Sequence, residues 1–267
     1  MPIKRKVLWI VDFDADIART MQYVLDSGAT TVCIRSSSDR LETAIATFKG
    51  LRKEVFAWRW PGADSDPHQP TKGPHYFIRN EAKWVADHLI DKGLDGYIVD
   101  PESNDDGDVN DWNRDTVNGI KLADLAAEFW ATIKHKVGGR KFRYGMTSGC
   151  NFPSEKTKLP WAAFIGPCDA VYPQCYWVVE RNDHTLGHPF GAKPAEPIAV
   201  ALPIWRTVAA GKPIIPMAGE INHADASEIA QFAAELARLN VSEAHFYIDK
   251  NPVAAGVLAE IKKIAVG

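Results

Sequence analysis

Eight short runs rich in β-branched and aromatic residues recur along the chain: "KVLWIVDFD" (6–14), "TTVCIRSS" (30–37), "EVFAWRWP" (54–61), "GYIVDPE" (96–102), "KFRYGMTS" (141–148), "AVYPQCYW" (170–177), "KPIIPMAGE" (212–220) and "AHFYID" (244–249). Most are separated by segments with apolar residues at three- and four-residue spacing, such as "NEAKWVADHLIDKG", "DASEIAQFAAELARLN" and "PVAAGVLAEIKKIAVG". Strands that alternate with helices pair in parallel. Eight such repeats in 267 residues predict an α/β fold in which the sheet closes into one (β/α)8 TIM-type barrel, a single domain over residues 1–267. An open, doubly wound sheet is the alternative use of the same elements.

Helix limits follow from local chemistry. Ser227 is the expected N-cap of "EIAQFAAELARL" and Asp115 that of "TVNGIKLADLAAEF", while Gly93, Gly138 and Gly139 stand where helices should stop. Two longer connections, "GADSDPHQPTKGPHYFIR" after the third run and "VVERNDHTLGHPFGAKPAEP" after the sixth, would lie over the C-terminal mouth of a barrel.

The polar residues that end the runs point to a site. Asp12 and Asp14 close the first run, Arg35 the second, and Trp58, Arg59 and Trp60 the third. Asp100 and Glu102 close the fourth, Ser148 the fifth, Gln174 and Tyr176 the sixth, Glu220 the seventh and Asp249 the eighth. In a barrel these ends meet at one rim. Successive strand residues face opposite ways, so Asp100 and Glu102 share a face, as do Asp12 and Asp14. Two carboxylates on one face repel, and the repulsion raises at least one pKa, which suits acid/base work. Carboxylates among aromatic rings suit a sugar: its C–H faces stack on rings, its hydroxyls bond to Asp, Arg and Gln, and its glycosidic oxygen needs a proton to leave. Trp58 or Trp60, Trp112, Tyr176 and Trp177 are the candidate platforms; Trp9 and Trp130 read as core.

On these residues the chain resembles barrel glycoside hydrolases. "LDGYIVDPE" is similar to the fourth-strand Asp-x-Glu of family 25 lysozymes and, more loosely, to the D-G-x-D-x-D-x-E of family 18 chitinases, with Asp95, Gly96, Asp100 and Glu102 matching and Ile98 replacing the first inner aspartate. The sixth-strand "YPQCYW" resembles the aromatic sixth strand of both families, Tyr176 being the matching position. The resemblance implies Glu102 as general acid, with Asp100 beside it raising its pKa and orienting an acylamino group or a water. It further implies Asp12 or Asp14 holding substrate or stabilising positive charge at the anomeric carbon. Glu220 is a reserve second carboxylate or else a capping residue before "INHADASE". Arg35, Trp58, Trp60, Trp112, Gln174, Tyr176, Glu220 and Asp249 are the expected substrate contacts, and the expected substrate is a β-linked amino-sugar polymer, peptidoglycan or chitin-like.

Other readings are open. A barrel that keeps its groove but has lost turnover would bind carbohydrate or serve as a structural component, and Ile98 favours it. "IVDFDADIA" resembles the start of haloacid dehalogenase-type phosphatases, with Asp12 as nucleophile and Asp14 as acid/base, although Asp16 departs from the pattern. The acidic loop 103–115, "SNDDGDVNDWNRD", could hold Ca²⁺ but lacks the EF-hand order, so a solvated loop contributing Asp111 or Trp112 to substrate is the competing reading. The eight histidines form no zinc motif, and no phosphate-cradling glycine loop is present, so neither metal nor cofactor is expected. A net charge of -3 gives no basic face for nucleic acid. The four cysteines (33, 150, 168 and 175) read as buried thiols. No apolar run suffices to cross a membrane or to form a signal-peptide core, so a chain cytoplasmic as synthesised is expected; a cell-wall substrate would then require a phage-type or other non-classical exit.

Overall fold

The computed structural model describes residues 2–11, 13, 16–63, 76–103, 111–249 and 252–267. Eight parallel strands close into a barrel in which each pairs with its sequence neighbours and the last returns to the first. They are β1 (Arg5–Ile10), β2 (Thr31–Arg35), β3 (Glu54–Arg59), β4 (Gly96–Val99), β5 (Arg143–Gly149), β6 (Ala170–Gln174), β7 (Met217–Ala218) and β8 (Glu243–Ile248). The closing pair runs in register from Arg5 opposite Glu243 to Ile10 opposite Ile248. This settles the closed barrel over the open sheet.

Around it lie α1 (Ile17–Asp26), α2 (Leu41–Gly50), α3 (Ile78–Trp84, continued by a π turn and a 3₁₀ turn to Lys92), α4 (Leu122–Val137), α5 (Phe152–Glu155), α6 (Trp161–Ile165), α7 (Ala195–Arg206), α8 (Ala226–Leu239) and α9 (Ala255–Lys263). Strand alternation sorts the core into two layers. Leu8, Ile10, Val32, Ile34, Val55, Ala57 and Val99 face the helices, whereas Val7, Trp9, Cys33, Phe56, Trp58, Ile98, Tyr172 and Met217 fill the barrel. All four cysteines are buried free thiols. Among the described residues no helix is long and apolar enough to cross a membrane.

Three boundaries differ from the sequence expectation, each for a local reason. The seventh run yields only two residues of regular strand, because Pro213 and Pro216 remove ladder donors. The helix expected from Asp115 begins at Leu122: Asn118 and Gly119, both at positive φ, turn Thr116–Val117 back on Ile120–Lys121 as a small hairpin. The N-cap of α8 is Asp225 rather than Ser227. Its side chain accepts from Glu228 N while the Glu228 side chain accepts from Asp225 N, a reciprocal capping box.

The N-terminal end of the barrel is closed by a charged cluster. Glu243 accepts from Arg5 Nη1 and Arg143 Nη2, each at 2.7 Å, and from the Tyr172 hydroxyl at 3.2 Å. Trp9 Nε1 donates to His245 Nδ1 at 3.0 Å, so the His245 proton sits on Nε2, 3.0 Å from Glu243. Burial alone would raise the Glu243 pKa, but the His245 hydrogen bond and the two guanidinium charges outweigh it and hold it at about 2. This end is built for stability, which leaves the opposite rim for a site.

Candidate active site

A cavity of about 370 Å³ opens at the C-terminal mouth. Its acidic wall is Asp100, Glu102 and Glu220; its aromatic wall is Trp58, Trp60, Tyr176 and Tyr247; Trp9 and Met217 form the floor, and Thr147 and Gln174 complete it. Ile98, Asp100 and Glu102 alternate inward from β4, so the carboxylate pair stands directly above the apolar interior layer. Where the family 18 pattern has a third carboxylate, Ile98 packs against Gly145 within that layer. Asp100 therefore sits on hydrocarbon.

The electrostatics follow from that placement. Asp100 is 2% exposed, and burial, then the neighbouring Glu102 charge, push its pKa well above the usual carboxylate range; Gln174 Nε2, donating to both oxygens at 3.3 and 3.2 Å, pulls the other way. Glu102, half-buried, is pushed up to about 7 by burial. The two titrate as a pair, so protons belong to the pair rather than to either residue. Burial and the charges of Asp100, Glu220 and Glu102 likewise raise the hydroxyl pKa values of Tyr176 and Tyr247, which marks how closely these groups converge.

The aromatic wall is one continuous arrangement. Trp58 meets Trp9 edge-on at 5.6 Å, Trp60 at 5.2 Å and Tyr247 edge-on at 5.9 Å, and Tyr247 stacks on Tyr176 at 5.6 Å. Tyr176 can lie where it does because residue 219 is glycine: a Cβ there would stand 2.0 Å from its ring. The next residue, Glu220, has a left-handed φ of 47°, and its carboxylate accepts from Glu180 N. That bond ties the seventh strand end to the short ribbon Val179–Glu180/Leu186–Gly187, which belongs to the connection after β6. Glu180 in turn meets His184 at 2.7 Å and His223 at 3.2 Å.

Most of the expected substrate contacts gather here: Trp58, Trp60, Gln174, Tyr176 and Glu220 line the cavity with Asp100 and Glu102. Glu220 is not the cap of α8, since Asp225 holds that position. Trp112 is a correction. It is fully buried, donates Nε1–H to the Pro61 carbonyl at 2.8 Å and meets Phe164 edge-on, so it offers no ring face to the cavity. Trp177 is buried as well, against Phe232. Arg35 is not among the residues that line the cavity, but its guanidinium lies 5.8 Å from the ring centre of Trp60, which does line it. Asp249 is half-buried and accepts from the Tyr247 hydroxyl at 3.4 Å. Asp12 and Asp14, with the phosphatase reading that uses them, lie outside the described residues, as does most of the acidic loop 103–115; within that loop Asp111 accepts from Ser103 and from Asn113 N.

Sequence reasoning misses Tyr247, Thr147 and the role of Trp9. Tyr247 and Thr147 are legible from alternation once the inward face of each strand is known, 243, 245, 247 on β8 and 143, 145, 147 on β5. Trp9 does read as core and is fully buried, but the top of the barrel core is also the floor of the cavity.

No protein-family model matches the sequence, and no curated protein sequence matches it. The fold is shared with solved structures at low identity. The glycoside hydrolase domain of PgaB from Bordetella bronchiseptica aligns over 93% of this chain and 94% of its own, with a TM-score of 0.61 and 11% identity. A chitinase from Rhizomucor miehei aligns over 98% and 100% with a TM-score of 0.59 and 12% identity. The spore cortex-lytic enzyme SleL of Bacillus megaterium aligns over 99% and 75% with a TM-score of 0.59 and 10% identity. At these identities the likeness is one of fold.

Proposed function

We propose that this chain is a glycoside hydrolase acting on a β-linked amino-sugar polymer, chitin-like or peptidoglycan. The observation that carries the reading is the Asp100/Glu102 pair, inward at the mouth of the barrel, lifted by burial and faced by aromatic rings. The names of its structural neighbours, chitinases and a cortex-lytic enzyme, support the substrate class. So does the resemblance of "LDGYIVDPE" to the fourth-strand signatures of families 25 and 18.

In this mechanism a pyranose stacks on the Trp60 or Tyr176 side and its glycosidic oxygen meets Glu102. A group with a pKa of about 7 is still substantially protonated near neutrality and gives its proton to the leaving oxygen as the C–O bond breaks. After transfer Glu102 is negative beside a carbon that is gaining positive charge, which stabilises it; Asp100 orients a water that adds to that carbon, and the water's proton returns to the carboxylate pair. Gln174 holds Asp100 in place for that role. Asp12 or Asp14 remains the proposed additional carboxylate from the first strand.

Ile98 favours a second reading, a carbohydrate-binding barrel without turnover, because the inner position that carries a carboxylate in the family 18 pattern is hydrocarbon here. Reducing-end release from chitin oligomers and from peptidoglycan, for wild type and Glu102→Gln, separates the two. The hydrolase reading expects a loss of roughly 10²- to 10⁴-fold in the variant. Glycan binding with no release by either protein would make the chain a binding barrel.

A further inference from the structure

Arg35 has no place in the acid chemistry, yet it points into the barrel. It alternates with Cys33, a member of the interior layer, so the two share the inward face of β2. Its guanidinium lies 5.8 Å from the ring centre of Trp60, which lines the cavity from the end of β3. Its Nε is buried and has no hydrogen-bond partner among the described residues. Arg59 flanks the same ring at 5.9 Å and its Nε also lacks a hydrogen-bond partner among the described residues, but it has a counter-charge in buried Glu81 at 4.0 Å. A buried donor left unbonded is costly, and most such groups have a partner to be found.

The order of groups around the rim says what the partner would be. Cation, ring and acid come from three successive strands: Arg35 from β2, against the Trp60 ring, then Trp60 after β3 and Asp100 with Glu102 after β4 on the cavity wall. Two strand spacings amount to roughly 10 Å, the reach of one sugar ring and a side group. A neutral sugar needs no cation at that distance. A guanidinium matches a planar carboxylate through two parallel N–H···O bonds, and a negative group on this side would be drawn to Arg35 and kept from the acidic wall.

Resting on the glycosidase reading, we propose that Arg35 and Trp60 form a subsite for an acidic sugar: a pyranose that stacks on Trp60, presents a carboxylate to Arg35 and offers its glycosidic oxygen to Glu102. The preferred polymer is then one whose sugars carry carboxylates, either as a lactyl ether or as a uronic acid, rather than a neutral one.

Titration calorimetry with cleavage silenced by Glu102→Gln tests this against three tetrasaccharides. One is neutral β-1,4-linked N-acetylglucosamine, one alternates it with residues bearing a free lactyl carboxylate, and one is a hyaluronan fragment bearing glucuronate. At least one acidic probe should bind about 10- to 100-fold more tightly than the neutral one, a preference that shrinks with added salt, and the probe that does so identifies the kind of acid. Adding Arg35→Gln should erase the preference, lowering affinity for the acidic probe far more than for the neutral one, while Arg35→Lys, which keeps charge without the fork, should retain part of it. Equal binding of all probes, or a uniform loss in Arg35→Gln, would overturn the subsite and leave the glycosidase reading intact. Failure to bind any probe would sink both.

Discussion

Replacing Glu102 by glutamine should make the protein more stable at alkaline pH even as it removes activity. In the folded chain burial lifts Glu102 from 4.5 to about 7. At 1.36 kcal/mol for each tenfold change, that difference amounts to about 3 kcal/mol at most. The sign is fixed by which form is disfavoured. Below about pH 4.5 the group is protonated in both folded and unfolded chains and costs nothing. Between about pH 4.5 and about pH 7 the unfolded chain has lost this proton while the folded chain still holds it, so stability is lost over that window and levels off above 7. Glutamine keeps the shape and cannot ionise, and Asp100 is relieved of a like charge, the second cause of its own raised pKa. Urea denaturation followed by tryptophan fluorescence at several pH values would measure it. The two proteins should be similar in stability near pH 4.5 and diverge above it, the variant leading by up to about 3 kcal/mol near pH 8. Parallel curves, or a variant that is weaker at pH 8, would refute the claim that burial strains this pair.

Two substitutions test the walls of the site. Gly219→Ala places a Cβ 2.0 Å from the Tyr176 ring, so the ring must move; oligosaccharide affinity should fall while the far-ultraviolet circular dichroism stays that of wild type. Trp112→Ala should behave oppositely: losing a fully buried ring and its bond to Pro61 should cost about 3–5 kcal/mol on chemical denaturation, with glycan affinity of the folded protein unchanged.

The barrel is legible in the sequence because its strands are separate apolar runs with helical spacing between them. Asp100 and Glu102 are legible for a related reason: period-two alternation on an apolar strand leaves one way for both to point. What escapes is set at longer range. Whether the ring of Trp112 faces substrate or folds beneath the loop depends on Phe164 and the Pro61 carbonyl, distant in sequence. The late start of α4 depends on two left-handed residues, Asn118 and Gly119, inside a segment with helical periodicity. Tyr247 is passed over because the polar residue after the last strand, Asp249, draws attention from the inward ring two positions before it. Arg35 is placed at the rim by its strand end, but its approach to the Trp60 ring appears only in three dimensions.

The pH dependence of kcat/KM on a cleavable oligosaccharide tests the central claim most directly, because for the free protein it reports the group that must be protonated. A Glu102 acid held at about 7 predicts a rate that is lost tenfold per pH unit above that value, and a Glu102→Gln variant whose residual rate lacks this limb. A wild-type rate that stays level or climbs from pH 7 to 9 would contradict proton donation by the buried pair.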